Sequence, residues 1–415
     1  MTNDASLEKR NVKDQEMPDE IIYLDNNATT RVAPEVFEAM RPFLSGDLYG
    51  NPSSAHTFGR QVRRSVEEAR EQVAHALGAL AASEIVFTSC GSESDNWAIR
   101  GVLESAPDKQ HIITTRVEHE AVRTLCERLE QRGHEVTWLD VDEEGLLDLE
   151  ALRAALRPDT SLVSVMLANN ETGVLFPIAE IGRIVREHSS ALFHVDGVQA
   201  VGKIPINVHE LGVDLFSISG HKFHAPKGVG ALYVRSGLNL APFIIGGGQE
   251  QGRRAGTEAV PYIVALGRAC QLAQEFEGHT LVRRLRDQLE DTILETIPNA
   301  RLNGTRDRER RLPNTSNISF EYVEGENILA SLDASGICVS TGSACNSERH
   351  EASAVLRAMN VPYTAARGSI RFSLGRYNTE REIAYTLSVL PGIINRLAEM
   401  SPYEEALAKG DAGNS

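Results

Sequence analysis

The stretch DLFSISGHKFHAPKGVGALYV (Asp214–Val234) gives the strongest indication of the fold. An apolar segment, Asp214–Ile218, leads into Ser-Gly-His-Lys, then into a loop broken by glycine and proline, and then into a second apolar segment, Ala231–Val234. The pattern predicts two strands with Lys222 at the mouth of the first, where its amine could form a Schiff base with a cofactor aldehyde. The alternative is a solvated loop lysine, because most lysines are exposed.

Similar apolar segments alternate with amphipathic helical patterns over residues 60–275. Strands that alternate with helices predict an α/β fold with a mainly parallel sheet covered on both faces, in which ligands bind beyond the carboxyl ends of the strands. The predicted strands are Ile85–Thr88, His111–Thr114, Glu135–Leu139, Leu162–Leu167, Ala191–Val195, Leu215–Ser219 and Ala231–Val234. The predicted helices are Gly59–Leu77, Glu120–Arg132, Leu149–Ala155 and Ile178–Ser189.

The pattern changes after residue 275, which predicts a second, smaller α+β domain. A charged helical segment, His279–Thr296, leads to an arginine-rich loop between Arg301 and Arg311, for which a solvated loop is favoured over a docking site for an acidic partner. Short strands and helices follow, with strands predicted at Ser316–Phe320, Cys338–Ser340 and Ser369–Ser373. The predicted division is a disordered arm (1–20), a large domain (21–275, with 21–32 joining the small domain), a small domain (276–400) and a tail (401–415).

Composition excludes several classes of function. A chain of 415 residues with 41% hydrophobic residues can bury a large core and a smaller one. A net charge of −16 disfavours binding to nucleic acid or to anionic membranes. The polar first twenty residues lack the apolar core of a secretory signal, and no apolar run approaches the ~18 residues of a membrane span, so we expect a cytoplasmic protein.

The cysteines indicate one reactive thiol and no structural metal site. Five scattered cysteines without a C-x-x-C pair argue against a disulfide framework and against a zinc ribbon. Four of them are expected to be small buried hydrophobic residues. Cys345 differs, because STGSACNSERHEAS (Ser340–Ser353) is small and polar, which predicts an exposed, mobile segment before the helical run Ala352–Met359.

Two further segments have features of a cofactor site. In EIVFTSCGSESDNWAIRG (Glu84–Gly101), a strand and turn precede a helix that is expected to begin near Glu93, so Gly91 and Ser92 would offer a phosphate site at a helix N-terminus, with a capped turn as the alternative. In ALFHVDGVQAVG, Asp196 ends a strand, either as a helix N-cap or as a partner for a ring nitrogen. An Asp on one strand and Lys222 on the next form the pairing that pyridoxal phosphate chemistry requires.

With these residues in place, the chain resembles the cysteine desulfurases, of the NifS/IscS-like group within the class V aminotransferase family. The matching motifs occur in the family's order over residues 21 to about 390. They are YLDNNATT (Tyr23–Thr30), NPSSAHTFGR (Asn51–Arg60), FTSCGSESDN (Phe87–Asn96), EHEAV (Glu118–Val122), ANNETG (Ala168–Gly173), HVDGVQ (His194–Gln199), SGHKFHAPKGVGALYVR (Ser219–Arg235), GGGQEQGRRAGT (Gly246–Thr257), STGSAC (Ser340–Cys345) and IRFSLG (Ile370–Gly375).

The resemblance implies a PLP enzyme of fold type I, with pyridoxal 5′-phosphate (PLP) as the cofactor. It implies that Lys222 bonds to the cofactor aldehyde, that Asp196 pairs with the pyridine nitrogen, and that His119 stacks on the ring and moves protons. The residues implied to hold the phosphate are Gly91, Ser92, Ser219 and His221.

Further implied roles concern the substrate and the partner subunit. Gln199 and Asn170 are implied to hydrogen-bond near the phenolic oxygen of the cofactor, and Asn170 also positions the substrate. Arg371 is implied to clamp the substrate carboxylate with its planar fork. Thr257 is implied to reach the phosphate of the partner subunit, which implies a homodimer.

The reaction implied by the resemblance converts L-cysteine to L-alanine and leaves the sulfur on Cys345 as a persulfide. A thiol is only a few per cent ionised near neutral pH, so a neighbour such as His119 is expected to take its proton. The sulfur would pass to an iron–sulfur scaffold or to another acceptor protein. A transient role for Cys345 as an iron–sulfur ligand is left open, and no other metal site is predicted.

Other activities of the same fold, and a non-enzymatic role, remain as alternatives. They are a selenocysteine lyase, an aminotransferase, a kynureninase-like hydrolase and a sulfur-carrier scaffold subunit without catalysis. Cys345 argues against a transaminase, and intact Lys222 and Asp196 argue against lost catalysis. The chain departs from the family's pattern at Cys90-Gly91, where Gly-Ala is usual, and at Ser92, where threonine is usual. The sequence leaves open whether the sulfur serves cluster assembly, nitrogenase maturation or tRNA thiolation.

Overall fold

The computed structural model describes residues 21–341 and 352–400. Its strands form a seven-stranded sheet, a four-stranded sheet and a two-stranded pair. In chain order the strands are β1 (Ile22–Tyr23), β2 (Ile85–Thr88), β3 (His111–Thr115), β4 (Glu135–Leu139), β5 (Thr160–Met166), β6 (Leu192–Asp196), β7 (Leu215–Ser219), β8 (Gly230–Val234), β9 (Ala300–Leu302), β10 (Thr315–Phe320), β11 (Ile337–Cys338), β12 (Ser340–Thr341) and β13 (Ser369–Ser373).

Helices pack on both faces of the large sheet and on the small one. They are α1 (Pro34–Leu44), α2 (Thr57–Leu77), α3 (Gly91–Ser105), α4 (Glu120–Glu130), α5 (Leu149–Ala155), α6 (Ile178–His188), α7 (Val208–Leu211), α8 (Val260–Gln274), α9 (His279–Thr296), α10 (Gly325–Asp333), α11 (Ala354–Ala358), α12 (Tyr363–Ala366) and α13 (Glu380–Glu399). Within the described ranges, none of these helices has the length and apolar character needed to cross a membrane.

The large sheet has the order β2-β8-β7-β6-β5-β3-β4. Strand β8 is antiparallel to both of its neighbours, β2 and β7, and the pairs among β3 to β7 are parallel. Successive side chains of each strand point to opposite faces of the sheet, so each face has a core of its own. In β2, Val86 packs with α3 and α4 on one face, whereas Ile85 and Phe87 pack with α2 and α8 on the other. Because both faces are covered, the strands read as continuous apolar runs.

The small antiparallel sheet has the order β12-β13-β10-β9 and a core of its own with α9, α10 and α13. The start of the described chain belongs to this core, because β1 pairs with β11 and the side chains of Ile22 and Leu24 are buried there. Conversely, Val355 and Leu356 of α11 pack into the core of the large sheet. The chain therefore crosses between the two sheets at both ends.

The predicted α/β class with a mainly parallel sheet is confirmed. Two local predictions were wrong. The segment Cys338–Ser340 is not one strand, because β11 pairs with β1 whereas β12 pairs with β13. Helix α3 begins at Gly91 rather than near Glu93, because the N-cap is Cys90 with extended backbone (φ −173°) and Ser92 lies inside the first turn. The elements found with the predicted bounds are β2, β4, β7, β13, α5 and α9.

The arginine-rich loop is not wholly solvated, which corrects the expectation for Arg311. Its side chain is 1% exposed and donates two hydrogen bonds to the Glu290 carboxylate, at 2.8 and 2.7 Å. Ser316 Oγ donates a third bond to Glu290, at 2.7 Å. The sequence conceals this contact, because Glu290 lies on α9 among other charged residues and its burial depends on how α9 packs against β10.

The expectation of four buried cysteines holds for two of those described. Cys126 and Cys270 are buried, and burial raises the pKa of each thiol to about 12. Cys90 and Cys338 are half-buried. Cys90 lies at the wall of a cavity and Cys338 ends a short strand, so neither is enclosed by a core.

The buried Arg311–Glu290 pair provides a test of the small core. We expect Arg311→Met to lower the free energy of unfolding by about 3–5 kcal/mol, because it leaves a buried carboxylate without its cation. The control is Arg183→Met on α6, whose ion pairs with Glu180 and Glu187 are exposed, and which should change stability by less than about 1 kcal/mol. Chemical denaturation measures both. Equal losses for the two variants would contradict the assigned importance of the buried pair.

Candidate functional site

A cavity of about 200 Å³ opens at the carboxyl edge of the large sheet. It is formed by the segments that follow β2, β3, β5, β6 and β7, as expected for a ligand site in a parallel sheet. Of the residues predicted to hold a cofactor, all but Thr257 meet here. The lining residues are Cys90, Gly91, Ser92, Asp95, His119, Met166, Asn170, Asp196, Val198, Gln199, Ser219, His221 and Lys222.

One end of the cavity is built from the first turn of α3. The backbone N–H groups at the start of a helix have no partner within the helix and carry partial positive charge. Gly91 stands at this start, and a Cβ there would lie 2.7 Å from Cγ2 of Val198, so the backbone itself forms the wall. Beside it, Ser219 Oγ is buried without a hydrogen-bond partner in the described structure. These groups together offer donors to an anion.

Lys222 extends from a turn of 3₁₀ helix directly after β7. Its Nζ donates to the carbonyl oxygens of Asn27 and Ala28, at 2.7 and 3.0 Å. The neighbouring His221 contacts Thr29 Oγ1 through Nδ1 at 3.1 Å. Burial and the charge of Lys222 lower the pKa of His221 to about 4, so its imidazole is neutral at physiological pH.

Asn27, whose carbonyl oxygen accepts from Lys222, is 1% exposed and has several further partners. Its carbonyl oxygen also accepts from Gln199 Nε2 at 3.0 Å, and its Oδ1 accepts from Lys203 Nζ at 2.9 Å. Its side-chain nitrogen donates to Thr315 Oγ1 of the small sheet at 2.9 Å. Asn27 thus joins the cavity to the small sheet.

Three carboxylates are buried in and beside the cavity: Asp95, Glu118 and Asp196, with exposures of 1%, 3% and 5%. Burial raises the pKa of each, and the charge of Asp196 adds to the effect on Asp95 and Glu118. For Asp196 the nearby His119 and Lys222 act in the opposite direction. Asp196 is therefore the carboxyl of the three that is best placed to carry a negative charge.

Burial raises the pKa of Glu118 to about 8. Its Oε1 accepts from Thr115 Oγ1 at 2.7 Å and from the N–H of Met166 at 3.1 Å, whereas Oε2 has no partner in the described structure. At neutral pH this carboxyl is a neutral acid.

His194 lies under Asp95, with Nε2 3.6 Å from Oδ1. Burial lowers the pKa of His194 to about 3, so the contact is not an ion pair. Its ring nitrogens instead contact the hydroxyls of Ser164 and Ser217, at 2.9 and 3.0 Å. This arrangement keeps positive charge away from the cavity floor.

His119 occupies the N-cap of α4, and its Nδ1 accepts from the N–H of Ala121 at 3.1 Å. That bond fixes the tautomer, since Nδ1 acts as the acceptor and Nε2 carries the proton. Burial lowers the pKa of His119, with the charge of Asp196 opposing and that of Lys222 adding to the shift. The neutral imidazole is therefore a hydrogen-bond donor at Nε2.

Arg371, on β13 of the small sheet, approaches the cavity from the other side. Its guanidinium donates to the backbone oxygen of Asn170 at 3.0 Å and to Asp25 Oδ1 at 2.8 Å. Nε of Arg371 and Oδ1 of Asn170 are both buried without partners in the described structure. Unmet donors and acceptors at one place indicate a site for a polar ligand.

Two predicted site residues, Thr257 and Arg371, are not among the lining residues of the cavity. Thr257 is exposed in this chain. Cys345 lies outside the described residues. Ser92 lines the cavity but is exposed, since it stands in the first turn of α3 rather than at its cap.

The turn after β6 sets the position of Asp196. The N–H of Val198 donates to Asp196 Oδ1 at 2.9 Å, and the N–H of Gly197 donates to the oxygen of Ser217 at 3.0 Å. A Cβ at Gly197 would lie 2.0 Å from Cζ of Phe216, so the aromatic ring occupies the space that any other residue at 197 would need.

Sequence reasoning gave no role to Asn27, Glu118 or Lys203. Asn27 and Glu118 stand inside quoted motifs, next to residues that were assigned roles, so their position in the motif was the available signal. Lys203 carried no signal, because a lysine four residues after Gln199 in a turn reads as solvated.

These features fit PLP. The helix start at Gly91 and the unpartnered Ser219 hydroxyl suit its phosphate, Asp196 suits a protonated ring nitrogen, and the Lys222 amine suits its aldehyde. The residues present therefore match the donor and acceptor set of the cofactor.

Comparison with known proteins agrees with this chemistry. Residues 22–385 match the aminotransferase class-V family profile. The chain is 57% identical over 387 residues to "Cysteine desulfurase" of Trichormus azollae, covering 92% of this chain and 95% of that protein. It is 51% identical over 384 residues to "Cysteine desulfurase NifS" of Azotobacter vinelandii, covering 92% and 94%. A solved structure titled "NIFS-LIKE PROTEIN" superposes with a TM-score of 0.84 at 41% identity, covering 91% of this chain and 100% of that one.

Glu118→Gln tests the neutral acid beside the cavity. The folded protein holds the Glu118 proton up to about pH 8, whereas the unfolded chain releases it near the ordinary value of 4.5. Wild-type stability should therefore fall, relative to the variant, as pH rises through this window. We expect the two to be similar near pH 5 and the variant to be more stable by about 4 kcal/mol near pH 9.

Denaturation of the cofactor-free proteins across this pH range measures the difference. The control is Glu104→Gln on α3, which removes an exposed carboxylate that stays in water in both states. A variant that is less stable than wild type near pH 9 would show that Glu118 is buried as an anion.

Proposed function

This chain belongs to the aminotransferase class-V family, and on that premise we propose that it is a cysteine desulfurase that converts L-cysteine to L-alanine. Its cofactor is PLP. The observation that carries the proposal is the meeting of Lys222, Asp196 and His119 at one cavity, although they come from three separate strand ends.

We propose that Lys222 attaches the cofactor and that Asp196 holds its ring nitrogen. When bound, PLP supplies an aldehyde for that attachment and a ring that withdraws electrons from the substrate's α-carbon. Burial disfavours the charged form of Asp196, so a cationic group on the ligand is what would complete its pairing. The phosphate is assigned to the N–H of Gly91 and to Ser92, Ser219 and His221.

Lys222 also moves a proton in this proposal. The carbonyl oxygens of Asn27 and Ala28 only accept, so they orient the hydrogens of the amine and do not occupy its lone pair. A neutral Lys222 amine held in this way can take the α-proton of L-cysteine. Asn27 and Ala28 then keep the resulting ammonium beside the substrate.

His119 is assigned to the face of the ring, where its Nε2–H donates a hydrogen bond. Taking up a proton at Nδ1 would cost the hydrogen bond that caps α4, which makes the imidazole a poor base at that atom. The donor role therefore fits the geometry better than removal of the Cys345 thiol proton, for which the sequence alone favoured His119.

The substrate carboxylate is assigned to Arg371 and Asn170. The guanidinium already holds Asp25 and the backbone of Asn170, which fixes its plane and leaves its unpartnered donor near the unpartnered Asn170 Oδ1. A carboxylate can bind such a planar donor set with two hydrogen bonds, whereas Asn170 can contact the amino group.

Sulfur transfer is assigned to Cys345. Its thiolate attacks the sulfur of L-cysteine, and the bond between that sulfur and Cβ breaks with its electron pair left on carbon. Cβ takes up one proton, equivalent to the one that the Cys345 thiol released, and Lys222 returns the α-proton to Cα, which completes L-alanine. The sulfur remains on Cys345 as a persulfide. We propose an iron–sulfur scaffold or another thiol-carrying protein as the acceptor, in the cytoplasm.

Assembly and domain division complete the proposal. We propose a homodimer in which Thr257, exposed in this chain, contacts the cofactor phosphate of the partner subunit. The division into a large domain (21–275) and a small domain (276–400) is proposed from the two sheets and their cores, with residues 21–32 assigned to the small domain.

Selenocysteine lyase activity is the alternative within the same site, because both substrates share the carboxylate, amine and β-chalcogen. A comparison of kcat/KM for L-cysteine and L-selenocysteine distinguishes them. Preference for selenocysteine that persists without Cys345 would favour the lyase.

Lys222→Ala tests the cofactor site. We expect the variant to lose the visible absorption of the covalently bound cofactor and at least ~10³-fold of its alanine formation, because both the attachment and the α-proton acceptor are removed. Lys227→Ala, at an exposed position of the same loop, is the matched control and should retain both. Normal absorption in Lys222→Ala would place the attachment at another lysine.

Cys345→Ala tests the sulfur acceptor. The variant should keep the visible absorption, because the cofactor cavity is intact, and should lose persulfide labelling and at least ~10²-fold of thiol-independent alanine formation. Cys338→Ala, a half-buried thiol in the same part of the chain, is the control. Wild-type turnover by Cys345→Ala without added thiol would exclude the persulfide route.

A further inference from the structure

Lys203 lies in the turns that follow β6, four residues after Gln199. Its Nζ donates to Gln199 Oε1 at 2.6 Å and to Asn27 Oδ1 at 2.9 Å. Lys203 is half-buried and lines the cleft between the two sheets together with Phe276 and Pro313. It is not a lining residue of the cavity, and its hydrogen bond to Gln199 connects it to one.

The partners of the Gln199 amide leave one orientation available. Lys203 Nζ donates to Gln199 Oε1 and to Asn27 Oδ1. The carbonyl oxygen of Asn27 can only accept, so the Gln199 atom that it meets must be the nitrogen. One N–H of Gln199 is used by Asn27, which leaves the second N–H for the cavity that Gln199 lines.

We propose that Lys203 is a positioning residue that locks the amide of Gln199, so that an N–H donor, and not a carbonyl acceptor, faces the phenolic oxygen of the cofactor. The proposal rests on the assignment of Gln199 to that oxygen under the proposed function. An ionised phenolic oxygen is stabilised by a donor and destabilised by an acceptor. Without Lys203 the Asn27 carbonyl oxygen is the one fixed partner that remains, so a single hydrogen bond instead of two holds the orientation of the amide.

The second hydrogen bond of Lys203 restrains the side-chain amide of Asn27 as well. Asn27 Oδ1 is held by Lys203 and by Asn314 Nδ2 at 3.1 Å, while its nitrogen donates to Thr315 Oγ1 at 2.9 Å. The Asn27 amide is therefore fixed as well, and its backbone carbonyl, which receives Gln199, is held in place. The two amides and the lysine form one unit.

The environment of Lys203 favours this role over a purely stabilising one. Within the described residues its hydrogen bonds go to two amide oxygens and it forms no ion pair with a carboxylate. Burial together with the charges of Lys222 and Arg371 lowers its pKa well below the ordinary value. A half-buried lysine beside two other cations is unfavourable for stability. A methionine of similar shape would avoid that cost but could not donate to Gln199.

Lys203→Met tests the lock through the bound cofactor. The pH midpoint at which the visible absorption of the holoenzyme changes should rise by about 1 unit, because the ionised oxygen loses an oriented donor. Lys203→Arg should restore the wild-type midpoint, since arginine keeps the charge and the donors and the cleft offers about 740 Å³ of space for the larger group. Gln199→Glu, which keeps the Lys203 contact but presents oxygen at both ends, should shift the midpoint in the same direction and by at least as much.

The Gln199→Leu background separates positioning from general electrostatics. There, Lys203→Met should shift the midpoint by less than about 0.3 unit, because no amide remains to be oriented. A full shift in that background would overturn the proposal and assign the effect to the lost charge. Thermal melting of each variant identifies any that fails to fold, and if Lys203→Met does so, Lys203→Leu takes its place with the same expected shift.

The outcomes also separate this inference from the proposed function. A wild-type protein that binds PLP without any visible absorption would count against the proposed function itself. A wild-type spectrum with a midpoint that moves in Gln199→Leu, but not in Lys203→Met, would overturn only the role of Lys203.

Discussion

The hydrogen bonds of one buried amide, Asn27, hold the site together. Its backbone N–H donates to Ser373 Oγ at 2.9 Å, its side-chain nitrogen donates to Thr315 Oγ1, and its two oxygens accept from Lys203, Gln199, Lys222 and Asn314. Because a buried polar group that loses its partner costs free energy, all these elements must be in place together. The large sheet supplies the strand ends, but the segment that contains Asn27 determines how Lys222 and the small sheet meet there. Reactivity and the packing of the two sheets are therefore properties of the same network.

Electrostatics in the cavity follow from burial more than from pairing. The acids Asp95, Glu118 and Asp196 are all desolvated, and the nearby histidines, His194 and His221, are driven neutral by the same effect. Such a site favours few charges, and a ligand that brings a cation to Asp196 and an anion to the start of α3 would place charge where the protein lacks it. This explains why a cofactor with a charged ring and a phosphate at opposite ends suits the cavity.

The sequence predicted the large sheet well, because both of its faces are buried and its strands are short apolar runs between helical patterns, as β2, β4 and β7 illustrate. The residues at the strand ends were predictable because the carboxyl ends of parallel strands meet. The contacts of Asn27 were not, since its partners Gln199, Thr315 and Ser373 lie 172, 288 and 346 residues away in the chain. Arg311 was missed for the same reason: its burial depends on the docking of α9, which local composition does not encode. Short strands such as β11 and β12 depend on partners in different sheets, so periodicity could not separate them.

The turn at Gly197 has a consequence for how this sequence can change over evolution. The ring of Phe216 fills the place of a side chain at 197, so a mutation at 197 alone forces this buried ring to move. Replacement of Phe216 by a smaller residue as the first step would open a void in the core beside Gly197, the residue after Asp196. A lineage that moves away from this pair therefore passes through a less stable intermediate in either order. The two positions should therefore be inherited as a unit, and a change at both would mark a site that has been rebuilt.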